Sequence, residues 1–130
     1  MTLVDHNTQA LEEWRGGVKT QMRVSAVNGS RQLCIFDQWC ETGSGAPRHL
    51  HAVEELLEVI EGTAEITCGN ETQFATANQS VLIPAGCLHG FKNIGEGTLH
   101  VRATLAAPIF EASYENSTEV SRRWLPDETS

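Results

Sequence analysis

Three histidines and one glutamate are the residues of this sequence whose types and spacing suit metal binding. His49 and His51 are two residues apart, Glu55 follows four residues later, and His89 lies in a separate turn-rich segment. Neutral imidazole and carboxylate groups are common ligands of divalent transition metals. The first three residues are compatible with a metal site only if the local backbone turns their side chains to one side.

The segment Ala52–Glu61 permits two local structures. Its sequence, AVEELLEVIE, contains good helix formers in a nearly helical apolar pattern, and a helix would place its glutamates on a solvated face. In a strand, alternate side chains share a face, so His49 and His51 point the same way and Glu55 joins them after a short bend. The β-like segments on both sides favour the strand.

Glycine-containing turns recur along the chain, with short segments rich in β-branched and aromatic residues between them. This rhythm is typical of an all-β sandwich or barrel. Thr98–Leu105 alternates between apolar and polar residues, as a strand with one buried face does. Thr63–Cys68 and Glu71–Thr76 flank the turn residues Gly69 and Asn70 and are predicted to form a β-hairpin.

Two segments outside these strands have helical patterns. Thr8–Trp14 stops before a pair of glycines, and Thr118–Trp124 contains Glu119 and Arg123 at a spacing that pairs charges along a helix. We therefore expect short flanking helical segments, and we expect Pro126–Ser130 to be frayed.

Length and charge limit the class of protein and its partners. The 130 residues suit a single domain spanning residues 1–130, with a barrel core over approximately 18–110. The formal net charge of −8 argues against nucleic acid and anionic membranes, because both select basic surfaces. No apolar run approaches the roughly 20 residues of a membrane span, and the first residues lack a secretory-signal pattern, so a cytoplasmic protein is expected.

The four cysteines are Cys34, Cys40, Cys68 and Cys87, and none of them forms a C-x-x-C pair. In a cytoplasmic chain such residues are usually reduced. We expect buried structural thiols rather than disulfides.

Two motifs give the chain its resemblance to a known family. The first, G-x5-H-x-H-x3-E-x6-G, and the second, G-x5-P-x-G-x2-H-x3-N, are the motifs of the cupins. The chain resembles a small single-domain cupin at all of these positions except the opening glycine of the second motif, where Asn78 tolerates the left-handed backbone that a turn needs. The matching residues are Gly43, His49, His51, Glu55, Gly62, Pro84, Gly86, His89 and Asn93.

The resemblance implies an all-β, cupin-type double-stranded β-helix, a jelly-roll barrel that binds one divalent metal. It implies that the ligands are His49, His51, Glu55 and His89. Three neutral imidazoles and one carboxylate suit Fe, Mn, Ni, Co, Cu or Zn better than Ca or Mg, and an octahedral ion would keep two open positions. The neighbouring Glu54 is expected to point into solvent, as is Glu58.

The residues that line the site beside the ligands are less certain from sequence. Phe91 shares the strand parity of His89 and is predicted to face the interior. On the strand before the first motif, either Gln38 or Asp37 faces inward, and the apolar Cys34 favours the face of Gln38, which would then hydrogen-bond a substrate. Arg102 would hold a substrate carboxylate if its face is inward and would be a solvated charge if it is outward.

Cupins support many reactions, so the scaffold predicts a reaction less well than it predicts a site. An intact ligand set favours a metal-dependent enzyme acting on a small organic molecule, with dioxygenase as the best guess and isomerase or lyase as the alternative. A non-catalytic small-molecule binder or sensor is the second hypothesis. The resemblance also implies a homodimer, to which Trp14 and Trp124 would contribute, with Tyr114 at a lid or dimer contact.

Overall fold

Two six-stranded antiparallel sheets make up the structure, a computed structural model that describes residues 1–126. Two short 3-10 helices, His6–Thr8 and Ala26–Asn28, accompany them. The strands are β1 (Glu12–Arg15), β2 (Val18–Val24), β3 (Cys34–Cys40), β4 (Gly45–Leu50), β5 (Glu55–Glu61), β6 (Thr63–Cys68), β7 (Glu71–Thr76), β8 (Gln79–Ile83), β9 (His89–Asn93), β10 (Leu99–Leu105), β11 (Phe110–Tyr114) and β12 (Val120–Arg123).

The order of the strands confirms the jelly roll. One sheet runs β1-β2-β3-β10-β5-β8 and the other runs β12-β11-β4-β9-β6-β7, so the chain passes repeatedly from one sheet to the other. The predicted hairpin of β6 and β7 and the strand β10 are present at the expected residues. Within residues 1–126, no helix is long and apolar enough to cross a membrane.

The core lies between the inner faces of the two sheets. Along β10, Leu99, Val101, Ala103 and Leu105 are almost fully buried, while the residues between them face outward and are half-buried. This alternation matches the two-residue period of a strand. Burial of each large aliphatic side chain contributes roughly 1.5–3 kcal/mol, so the two sheets are held together mainly by this layer.

Two of the motif positions are explained by the backbone. Gly62, between β5 and β6, has φ of +96°, and a Cβ there would lie 2.9 Å from the carbonyl oxygen of Thr98. Asn78, which replaces the motif glycine, has φ of 69°, as the sequence predicted. Both turns carry the chain from a strand of one sheet to a strand of the other.

The two predicted helices, Thr8–Trp14 and Thr118–Trp124, are wrong. The end of the first segment and most of the second instead belong to edge strands, β1 paired with β2 and β12 paired with β11. Pairing with a neighbouring strand outweighs the small intrinsic preference for helix, and only the tertiary structure supplies that neighbour. Residues 127–130, part of the segment predicted to be frayed, lie outside the described residues.

The tryptophans that were expected at a dimer contact pack inside the chain. The rings of Trp14 and Trp124 lie 5.4 Å apart, and both contact Phe36 and Phe110. The guanidinium of Arg123 lies 4.1 Å from the centroid of the Trp14 ring, a cation–π contact. These aromatic rings join the two edge strands β1 and β12 to the core.

Of the two alternatives for Arg102, the structure shows the outward one, although the side chain is paired rather than freely solvated. Its guanidinium makes a bidentate pair with Asp37, with Nε 2.7 Å from Oδ1 and Nη2 3.0 Å from Oδ2. His100 lies 2.8 Å from the same carboxylate, and Arg23 lies 3.4 Å from it. Burial alone would raise the pKa of Asp37, but the hydrogen bonds from Arg102 and His100 outweigh burial and lower it.

A disulfide between Cys68 and Cys87 contradicts the expectation that all four cysteines are reduced. Cys68 ends β6 and lies opposite His89 of β9, so Cys87, two residues before His89, comes within bonding distance. This proximity arises from strand pairing, so the spacing of the cysteines in the sequence could not predict it. Cys34 and Cys40 are free and buried, as expected.

Replacement of the buried carboxylate should destabilise the protein. Asp37→Asn leaves two guanidinium groups without their negative partner, and we expect a loss on the order of 2–4 kcal/mol in the free energy of unfolding at pH 7, measured with urea. Because the folded-state pKa of Asp37 is lowered, the wild-type advantage should vanish as the pH falls through that pKa. The exposed Glu54→Gln is the control, and equal losses in both variants would contradict the prediction.

The disulfide can be tested by reduction. Its cysteines are separated by 19 residues, and closing such a loop stabilises a fold by about 3 kcal/mol. A thiol reductant should lower the unfolding free energy of the wild type by this amount and leave Cys87→Ser unchanged. The native oxidised protein should present no reactive thiol, because burial raises the pKa of Cys34 to about 12 and that of Cys40 to about 11. Four reactive thiols after denaturation without reductant would contradict the bond.

Candidate metal centre

The four predicted ligands meet inside the barrel. His49 lies near the end of β4, His51 follows that strand, and Glu55 and His89 open β5 and β9. Their ligand atoms all lie within 4.8 Å of one another, and all four side chains are buried. His49 and His89 are direct neighbours in the pairing of β4 with β9, whereas Glu55 arrives from the other sheet.

A bend in the chain brings Glu55 to the histidines. β4 belongs to one sheet and β5 to the other, and the residues between them, 51–54, form no strand. The helix suggested by local propensity for this segment is absent. Glu54 points into solvent and Glu58 is on the outer face, as expected, so only one of the glutamates in this segment lies among the ligands.

Hydrogen bonds to the backbone orient all three imidazoles. Each Nδ1 lies within hydrogen-bond distance of a carbonyl oxygen, which can only accept, so the proton is on Nδ1 and the lone pair is on Nε2. Such a hydrogen bond on the nitrogen that faces away from the metal is usual for metal-binding histidines. The accepting carbonyls are Pro47 at 2.7 Å from His49, Glu111 at 2.7 Å from His51 and Cys87 at 2.9 Å from His89.

The geometry around Glu55 fits a cation. Its Oε1 lies 3.0 Å from Nε2 of both His51 and His89. Imidazole lone pairs and a carboxylate oxygen are all acceptors and repel one another at this distance unless a cation or a proton lies between them. The donor set therefore fits a divalent metal, with Glu55, His49, His51 and His89 as its ligands.

The electrostatics of the site keep His49 neutral and Glu55 ionised, which are the forms that bind metal. Burial, together with the nearby His89, lowers the pKa of His49 to about 4, so this imidazole is neutral at pH 7. Burial alone would raise the pKa of Glu55, but a proton on the imidazoles of His51 and His89 stabilises the carboxylate and brings its pKa to about 2, and the same contact raises the pKa of His89 against the effect of burial. Neutral imidazole and ionised carboxylate are the forms that coordinate.

A small cavity adjoins the four ligands. Its volume is about 20 Å³, room for one or two water molecules, and its walls are mostly apolar and aromatic. Phe91 and Gln38 both line it, and the Gln38 amide donates to the hydroxyl of Thr20 at 3.0 Å. The inward face predicted for the Gln38 strand is correct, and so is the prediction for Phe91.

A second, larger groove of about 800 Å³ lies elsewhere, between the edge strands β7 and β8. It contains none of the four ligands, so its size does not make it the site of metal chemistry.

A family model described as "Cupin domain" matches residues 40–106. The chain belongs to the cupin family. Among curated proteins, it is 32% identical over 87 residues to the polyketide synthase CurC of Streptomyces cyaneus, across 63% of this chain and 54% of CurC. It is 46% identical over 48 residues to the xanthan biosynthesis protein XanB of Xanthomonas campestris pv. campestris, across 37% of this chain and 10% of XanB. This cupin thus spans about a tenth to about half of the length of these relatives.

Solved structures support the same fold. The polyketide cyclase RemF from Streptomyces resistomycificus superimposes with a TM-score of 0.73 and 17% identity, covering 98% of this chain and 88% of RemF. The oxalate decarboxylase of Lactobacillus farciminis, in a formate complex, gives a TM-score of 0.76 and 20% identity over 83% of this cupin and 34% of that chain. At these identities the likeness concerns the fold alone.

The sequence did not point to Arg15, and it suggested a lid or dimer contact for Tyr114 without placing it beside the ligands. Both line the cavity of this cupin, and the Tyr114 ring lies 5.6 Å from that of His49. The signal for Arg15 was present, because a glycine pair between two short segments is typical of a β-hairpin, and β1 and β2 form one. Tyr114 had no comparable signal.

Loss of one ligand should weaken metal binding. Glu55→Gln removes the carboxylate charge, and we expect the affinity of this cupin for Zn²⁺ or Fe²⁺ to fall at least tenfold, measured by chelator competition. Glu54→Gln is a matched control one residue away and should leave the affinity unchanged. Metal at about 100 times its dissociation constant should raise the wild-type unfolding free energy by about 2.7 kcal/mol. Equal affinities in the two variants would contradict the site.

Proposed function

We propose that this cupin is a metal-dependent enzyme acting on a small organic molecule, with O2-dependent oxidation as its reaction class. The observation that carries the proposal is an intact set of three histidines and one glutamate beside an interior cavity. A divalent transition metal supplies a Lewis acid and, when it is redox-active, electrons for O2 chemistry. Four protein ligands on an octahedral ion leave positions for small molecules.

The protein's own residues would hold the reactants and keep water out. Phe36, Phe91 and Phe110 form apolar walls of the cavity, and they lower the local dielectric around any charge in it. The backbone carbonyls that hold each Nδ1 also prevent the imidazoles from rotating, so the ligand atoms keep their positions when a substrate arrives. Gln38 and Tyr114 offer the polar groups that would orient the substrate.

The size of the cavity favours this reaction class. About 20 Å³ admits O2 or a water molecule beside the ligands, whereas a larger substrate would first need the mouth of the barrel to open.

Oxygen uptake is the direct test. The protein loaded with Fe²⁺ should consume O2 in the presence of at least one member of a panel of diols, enols, thiols and catechols, and Glu55→Gln should reduce the rate by about 100-fold or more, since it weakens the metal site itself. Glu54→Gln should retain the wild-type rate. Tight binding of these compounds without turnover under any metal would contradict an enzyme and favour a binding or sensor protein.

An O2-independent ring closure, a reaction of the lyase or isomerase type, is the second candidate. It is favoured by the name of RemF, a polyketide cyclase whose structure covers 98% of this chain, and by the similarity to CurC. Incubation of the Zn²⁺-loaded protein with short poly-β-ketone thioesters under argon separates the two candidates. Cyclised product without O2 would support the second, and its absence alongside O2 uptake in air would support the first.

A further inference from the structure

A bulge in β1 turns two consecutive side chains toward the metal cavity. Glu13 pairs with Lys19 and Arg15 pairs with Val18, which leaves Trp14 as the extra residue of the strand. In a regular strand Trp14 and Arg15 would point to opposite faces, but a bulge re-aims one of them, and both line the cavity here. Residues that face each other across an antiparallel pair share a face, and Val18 is fully buried in the interior.

The guanidinium of Arg15 has most of its hydrogen-bonding capacity free. Its Nη1 donates to the carbonyl oxygen of Gly45 at 3.1 Å, and it forms no ion pair with any carboxylate of residues 1–126. A guanidinium carries five N–H donors in a planar fork. Arg102 and Arg122, by contrast, each form a close pair with a carboxylate.

Arg15 is also the only lysine or arginine among the residues described as lining this cavity. The remaining walls are aromatic, apolar or uncharged, apart from the four ligands. With a net charge of −8, the chain as a whole repels anions, and solvent ions screen this repulsion beyond roughly 8 Å. The half-buried Arg15 is therefore the one basic side chain described at this cavity for a small anion to meet.

We infer that Arg15 selects an anionic substrate, a small hydroxy- or oxo-carboxylate. The fork of Arg15 would bind the carboxylate, and a second oxygen of the substrate would face the four ligands. The inference rests on the proposed function, since it assigns the substrate class of the same site. A purely structural role, in which Arg15 only ties β1 to the Gly45 carbonyl, is the opposing explanation.

Calorimetric titration of the Zn²⁺-loaded protein with glycolate and with its neutral counterpart glycolamide separates these explanations. The wild type should bind glycolate at least tenfold more tightly than glycolamide. Arg15→Gln should lose about tenfold in affinity for glycolate and none for glycolamide, while Arg15→Lys, which keeps the charge without the fork, should lose less. Lys19→Gln removes a positive charge from the exposed face of the neighbouring strand and should bind both compounds as the wild type does.

A second measurement avoids any dependence on how the variants fold. In the unaltered Zn²⁺-loaded protein, the Nε–H NMR signal of Arg15 should shift on addition of glycolate and stay in place with glycolamide. An unmoved signal, or Arg15→Gln binding glycolate as tightly as the wild type, would overturn the role of Arg15 and leave the proposed function intact. Wild-type protein that takes up no Zn²⁺ in elemental analysis would instead contradict the proposed function.

Discussion

The convergence of four electron-rich atoms at one point inside the barrel is the constraint on which the rest of the structure depends. The Nε2 atoms of His51 and His89 both lie 3.0 Å from Oε1 of Glu55, and such acceptors repel one another unless a cation or a proton lies between them. The fold holds these atoms together from two sides. His49 and His89 lie on one sheet, His51 follows the strand of His49, Glu55 lies on the other sheet, and a continuous apolar layer packs between the sheets.

Two arrangements outside the site also hold the ligand-bearing elements in place. The backbone carbonyl of Cys87 orients His89, and the disulfide of Cys87 with Cys68 ties the turn before His89 to the adjacent strand. On the outer face of the other sheet, the buried Asp37 joins Arg102 and His100 of β10 to its own strand β3. Both arrangements connect neighbouring strands close to the elements that carry ligands, so they limit how far these strands can separate.

Much of the fold was predictable because strands have a local signature. β6 and β7 have the predicted bounds, and β10 differs by one residue, since alternation and turn residues act over a few positions. The two wrongly predicted helices have one cause. The segments of β1 and β12 have helical patterns in isolation, but an edge strand exists only because a neighbouring strand pairs with it. For the same reason, the sequence could not show that Arg102 forms an ion pair with Asp37.

The candidate site, like the fold, was predictable from the sequence only in part. All four ligands could be predicted from the sequence. Alternation along one strand and a bend place His49, His51 and Glu55 together, and the second motif contains His89. The tertiary structure alone decided which distant groups meet: Glu55 with His89 across the two sheets, Cys68 with Cys87 between adjacent strands, and Arg15 with the cavity. The physical reason is that the period of a strand is a property of consecutive residues, whereas the register between strands and the bulge in β1 arise only when distant segments pack together.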